Sequence, residues 1–158
     1  MFVPLLRDQI TAMVSFVQFS IVGCQSIFSS TMEIQVPDNC GNSPRKLMLQ
    51  EFNVALASGD VEGVVSHVAD DIEWKLVGDQ QVSGKPAFEK ALQGSNMKVA
   101  RLKISNIITH GTTAAVDGEL ELDNGFQLAF CDVYRFTGSG AKAKIKEITA
   151  YVVSSQAR

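Results

Sequence analysis

Asp132 has the strongest claim to chemistry in this sequence, because it stands where an apolar side chain is expected. In the run Phe126-Gln-Leu-Ala-Phe-Cys-Asp-Val-Tyr-Arg-Phe136, the alternate residues Phe126, Leu128, Phe130, Tyr134 and Phe136 form one apolar and aromatic set, and Asp132 falls in their register. Successive side chains of a strand point to opposite faces, so the carboxyl shares the apolar face. Burial disfavours its charged form, and such a group either finds hydrogen bonds or keeps its proton to unusually high pH. A neutral carboxyl in an apolar pocket can donate a proton or a hydrogen bond to a carbonyl oxygen, which serves isomerisation, cyclisation or dehydration. The competing reading is a structural carboxylate bonded to backbone or to a basic side chain. Tyr134, on the same face, either shares a hydrogen bond with Asp132 or a ligand oxygen or sends its hydroxyl to solvent.

The remaining reactive side chains carry weaker patterns. Trp74 alternates with Ile72 and Leu76, so it lines either a pocket wall or the core. His67 and His110 have no nucleophile or ligand set beside them and read as solvated. Asp117, Glu119 and Glu121 form an exposed or dimer-facing row that could hold a cation only weakly. Cys24, Cys40 and Cys131 show no metal-ligand spacing, and their odd number argues against a disulfide framework. Cys131 reads as a small core residue. No metal site and no cofactor is expected.

The elements that position these residues follow from length and periodicity. With 158 residues, 46% of them hydrophobic and 20% charged, the chain suits one globular domain. A net charge of -3 lacks the positive field that binds nucleic acid or anionic membranes. Residues 1–42 read as an N-terminal extension and irregular arm, residues 43–158 as the domain. Ile10 to Phe28 is too polar and interrupted for a membrane span. Ile21-Val-Gly-Cys24 resembles a lipoprotein lipobox, against which Asp8 cancels Arg7 and the basic leader is missing. A dispensable extension upstream of Met32 and a docking helix are the other readings. The expected location is the cytoplasm, with an exported lipoprotein as the alternative.

Ser43-Pro44 opens a helix as cap and first residue, with Met48, Phe52 and Ala55 as its apolar stripe, and Ser58-Gly59 stops it. Asp60 caps a second helix that carries Val61, Val64, Val65 and Val68, and Asp70-Asp71 ends it. The period then changes to two for a strand through Ile72, Trp74 and Leu76, Gly78-Asp79 turns the chain, and Val82 extends a short return strand. Gly84-Lys-Pro86 starts a third helix bearing Phe88, Ala91 and Leu92. Long alternating strands follow, one marked by Leu102, Ile104 and Ile108, one running from Ala114 to Leu122, the Asp132 strand, and one from Ala143 to Ser154. Asp123-Asn124-Gly125 signals a hairpin. Helices gathered on one face of an antiparallel sheet make an α+β domain.

Ala57-Ser-Gly-Asp60, Ala69-Asp-Asp-Ile-Glu-Trp74, Val82-Ser-Gly-Lys85, Cys131-Asp-Val-Tyr-Arg-Phe136 and Ile145-Lys-Glu-Ile-Thr-Ala-Tyr151 together resemble the nuclear transport factor 2-like superfamily, over about residues 43–154. Within it they are most similar to the SnoaL-like group, which includes ketosteroid isomerases and limonene epoxide hydrolases. The resemblance implies a cone-shaped, curved antiparallel sheet wrapped around three N-terminal helices, a pocket between them for a small apolar or carbonyl-containing ligand, and a homodimer formed through the sheet. On that pattern Phe52, Trp74, Leu76, Phe130, Ile148 and Val152 line the pocket, and Asp132 with Tyr134 would act on the ligand. Asp132 falls at the ketosteroid isomerase position of the protonated acid, but Leu76 replaces the general base and Phe52 the tyrosine. Phe130 stands where the epoxide hydrolase pattern has an arginine. The implied function is a small-molecule-binding domain, with a non-catalytic dimeric interaction module as the alternative.

Overall fold

The computed structural model describes residues 31–37 and 43–154. The lipobox, Cys24, Cys40 and residues 38–42 of the arm lie outside them. Helix α1 (Pro44–Ser58) begins with proline in its first turn, where a missing N–H costs nothing. Ser43 occupies the cap position but its side chain makes no capping hydrogen bond. Gly59 ends the helix at φ 74°, and the Asp60 N–H closes onto the Ala55 carbonyl at 2.9 Å. Helix α2 (Val61–Ser66) is held by Asp60, whose Oδ1 accepts from the Gly63 N–H at 2.9 Å. A Cβ at position 63 would fall 2.4 Å from Asp60 Oδ2, so the glycine that weakens this helix also makes room for its cap.

The second helix is shorter than its valine spacing suggests. Val68 opens strand β2 (Val68–Leu76) instead of closing the helix, and Asp70 and Asp71 belong to the strand instead of capping a helix end. The reason is non-local: β2 lies parallel to β7 (Ile145–Ser154), and a register irregularity between Val68 and Glu73 turns both acids outward. There they meet Lys85 at 3.7 Å and Lys146 at 3.3 Å. Strand β3 (Gln81–Ser83) and helix α3 (Lys85–Gln93) follow as expected. Strands β4 (Val99–His110), β5 (Thr113–Leu122), β6 (Gln127–Phe136) and β7 then run antiparallel in sequence.

The arm was expected to be irregular, yet Glu33–Gln35 forms a first strand, β1, parallel to Arg101–Lys103 of β4. Its residues are all exposed, so it leaves no apolar alternation to read. The sheet has the order β1-β4-β5-β6-β7-β2-β3 and is antiparallel except at the β1–β4 and β2–β7 pairs. It is curved and open, with the helices packed on its buried face, an α+β architecture. Leu49, Phe52, Val64, Ile72, Phe88, Leu102, Val116, Tyr134 and Ile145 form the heart of the core between helices and sheet.

Two core assignments reverse. A bulge between Ile104 and Asn106 shifts the side-chain parity of β4, so Ile107 is buried and Ile108 is 63% exposed. Cys131 is exposed, because it alternates with Asp132 and therefore takes the outer face. At the end of the sheet near the start of α1, Arg45 donates to the carbonyls of Gly111, Gly138 and Gly140. Its guanidinium lies 4.3 Å above the Phe136 ring, so one side chain ties the helix to two strand connections.

Candidate functional site

The sheet register converts the alternation around Asp132 into three neighbouring rows on the inner face. Ala114, Tyr134, Ile148 and Trp74 lie opposite one another across β5, β6, β7 and β2. The next row is Val116, Asp132, Ala150 and Leu76, and the third is Gly118, Phe130 and Val152. Thus Trp74, Leu76, Phe130, Asp132, Tyr134, Ile148 and Val152, anticipated on separate strands, occupy one contiguous patch. Phe52 reaches it from α1, with its ring edge-on to Tyr134 at 5.8 Å between centroids.

Asp132 is only 7% exposed, and its Oδ2 accepts from the Tyr134 hydroxyl at 3.1 Å. It is flanked in its row by the small side chains Val116 and Ala150, neither of which offers a counter-charge. Burial pushes its carboxyl up to about 7, and the Tyr134 hydrogen bond opposes that shift only in part. Tyr134 is fully buried, and burial, reinforced by the Asp132 charge, holds its phenol well above the usual range. It is therefore a hydroxyl, a donor and an acceptor, throughout the pH range in which Asp132 titrates.

The third polar member of the site was missed in the sequence. Asn53 is 4% exposed, its Oδ1 lies 3.3 Å from the Tyr134 hydroxyl, and its Nδ2 donates to the Leu49 carbonyl at 2.8 Å. Leu49, Phe52, Asn53 and Ala57 are the buried residues of α1, a spacing of i, i+3, i+4 and i+8. Centring the apolar stripe on Leu49 instead of Met48 would have placed Asn53 on the inner face.

The other candidates border this polar group or lie apart from it. Trp74 is half-buried and packs edge-on against Phe88 at 5.5 Å. Leu76 and Val152 are also half-buried, at the margin of the patch. His67 is not simply solvated: it is half-buried with its ring 6.3 Å from Phe52, and burial lowers its pKa. His110 is exposed at the end of β4. Asp117, Glu119 and Glu121 sit on the outer face, bonded to Asn106, Lys103 and Arg101 of β4. Among the described residues no cluster of three His, Cys, Asp or Glu side chains could hold a metal, and no helix is long and apolar enough to cross a membrane.

Two shallow concavities among the described residues lie away from Asp132. One, of about 320 Å³, opens between Ser43, Arg45 and Met48 at the start of α1, Thr109 to Gly111, and Ser139, Gly140, Ala141 and Ala143. The other, of about 110 Å³, is bounded by Arg101, Lys103, Glu119 and Leu128.

Residues 49–148 match the family model of the SnoaL-like domain. No curated protein matches the chain. Among solved structures, the chain is similar to an NTF-2 like protein of unknown function from Burkholderia xenovorans LB400, at 16% identity over 73% of this chain and 87% of that one, with a TM-score of 0.63. It is also similar to a candidate ketosteroid isomerase from Kribbella flavida DSM 17836, at 14% identity over 73% and 82% of the two chains, with a TM-score of 0.59. A de novo designed protein with a curved β-sheet shares 18% identity over 72% and 88%, with a TM-score of 0.58. At these identities the likeness is one of fold.

Proposed function

The chain belongs to the SnoaL-like domain family, and we propose that it binds a small apolar or carbonyl-containing molecule at the inner-face patch around Asp132. The observation that carries this reading is a carboxyl buried among apolar side chains, bonded to one hydroxyl, whose value is raised to about 7 so that a large share keeps its proton near neutral pH. A neutral carboxyl donates to a carbonyl oxygen and strengthens that bond as negative charge develops on it, which lowers the barrier to enolisation, ring closure or loss of water. Phe52, Trp74, Leu76, Phe130, Ile148 and Val152 would enclose the apolar part of the ligand. The structural likeness to a candidate ketosteroid isomerase supports the fold of such a pocket, not its reaction.

A second reading, a binding module without chemistry, is favoured by one observation. Among the described residues, burial and the Tyr134 hydrogen bond are what shift Asp132, and its row neighbours Val116, Ala150 and Leu76 offer no second carboxylate as a partner base. The test for both is the Asp132 carboxyl carbon followed by NMR across pH, with and without a panel of small cyclic ketones. A raised midpoint that moves on addition of a ketone supports the acid. A midpoint near the ordinary aspartate value that no ketone moves would end it.

We also propose that the outer face of the sheet receives a second copy of the chain. Ile108, Val133, Tyr151 and Val153 are exposed there, while most charges around them are paired within the chain, Arg101 with Glu121, Lys103 with Glu119 and Arg135 with Glu147, and Asp117 is bonded to Asn106. A face with apolar side chains and mostly balanced charge can meet its own copy with little like-charge conflict.

A further inference from the structure

The buried polar triad has one hydrogen too few for its two contacts in the ionised state. Tyr134 Oη lies 3.1 Å from Asp132 Oδ2 and 3.3 Å from Asn53 Oδ1, and a phenol has a single hydrogen to give. Asn53 cannot relieve this by turning its amide, because Nδ2 is committed to the Leu49 carbonyl at 2.8 Å and a flip would set two oxygens against each other.

The proton count resolves differently in the two states of Asp132. With a proton on Oδ2, Asp132 donates to Tyr134 Oη and Tyr134 donates to Asn53 Oδ1, so both contacts are hydrogen bonds. Once Asp132 is ionised, the carboxylate is the stronger acceptor and takes the Tyr134 hydrogen, leaving Asn53 Oδ1 facing a lone pair. We propose that Asn53 is a positioning residue, whose Oδ1 competes with Asp132 for the Tyr134 hydrogen and thereby favours the proton-bearing form of the carboxyl.

The surroundings contain few rivals for this role. The neighbours of Asp132 in its row, Val116 on β5 and Ala150 on β7, are apolar, and α1 brings Phe52 and Asn53. Cys131 and Asp117 lie on the outer face, where burial and then the Asp117 and Asp132 charges raise the Cys131 thiol, while Cys131 is not among the causes that shift Asp132. His67 approaches through Phe52 and responds to burial, Glu51 and Lys144. The inference requires only the triad, whether or not a ligand binds, so it can fail while the proposed function stands, and the reverse.

The test is the Asp132 titration, read from its carboxyl carbon by NMR, in the full chain and in Asn53→Leu. The variant removes the competitor while adding apolar surface. The expected result is proton binding about tenfold weaker at Asp132, the size of one lost neutral hydrogen bond. A purely structural role predicts the opposite direction, since greater desolvation would raise the midpoint, and an unchanged or raised midpoint overturns the proposal. The unmodified chain gives a second readout that does not depend on the variant folding. The Tyr134 ring carbon bearing the hydroxyl should shift with the Asp132 midpoint, and a Tyr134 signal flat through that window also overturns it.

Discussion

Gly118 and Phe130 face each other across the β5–β6 ladder, and the Phe130 ring fills the space a side chain at 118 would need. A Cβ there would stand 2.9 Å from Phe130 Cε1 and 2.1 Å from the Lys103 carbonyl oxygen. Because the second neighbour is backbone, no rotamer change relieves the clash. Gly118→Ala should lower stability by about 2 kcal/mol, the size of a strained overpacking, despite the smaller entropy of the unfolded chain. Urea unfolding checks this, and a neutral or stabilised variant would show that the Lys103 carbonyl and the Phe130 ring do not close on this position.

Asp132 makes stability depend on pH in a direction unusual for a carboxylate. Its folded value of about 7 lies above the unfolded value near 3.9, so the folded state binds the proton more tightly. The associated stability is fully present below about pH 4, declines as pH rises and is lost through about pH 7, an order of about 4 kcal/mol. Asp132→Asn cannot titrate and should show no such decline. His67, whose lowered value costs stability as pH falls below about 6.5, is common to both proteins and cancels in their difference. Chemical denaturation of both between pH 4 and pH 8 should give a difference that swings in favour of the variant at high pH. A flat difference would refute a buried, raised carboxyl.

The six-residue helix α2 depends on Asp60, which supplies its capping acceptor. Asp60→Ala should cost about 1 kcal/mol, whereas Asp60→Asn or Asp60→Ser should recover most of it. The measurement is thermal or urea unfolding of the three variants. Equal losses in all three would place the role of Asp60 in its charge and not in the cap.

The outer face gives an oligomerisation test. In light scattering after gel filtration, the chain should elute as a dimer, and Tyr151→Glu combined with Val153→Glu should convert it to a monomer with unchanged circular dichroism. A wild-type chain that is monomeric at tens of micromolar, or a charged variant that stays dimeric, would remove this face as the interface.

Periodicity carried much of the fold, and the reason is physical. A strand with one buried face must alternate, and a half-buried helix must repeat every third or fourth residue, so β2, β5, β6 and the helices announce themselves locally. Local pattern fails where the partner strand decides. Val68 joins a strand because β7 lies beside it, Ile108 turns outward because β4 bulges against β5, and exposed Glu33–Gln35 becomes a strand because β4 supplies its hydrogen bonds.

The same division runs through the site. Asp132 stood out in the sequence because burial of a carboxyl breaks the hydrophobic alternation, and that rule needs no knowledge of neighbours. Tertiary structure decided what surrounds it: the register that sets Val116 and Ala150 beside it, and the helix that brings Asn53 within 3.3 Å of the Tyr134 hydroxyl from 81 residues away. Hydrogen-bond direction depends on distances between atoms of separate elements, and no spacing along one chain contains them.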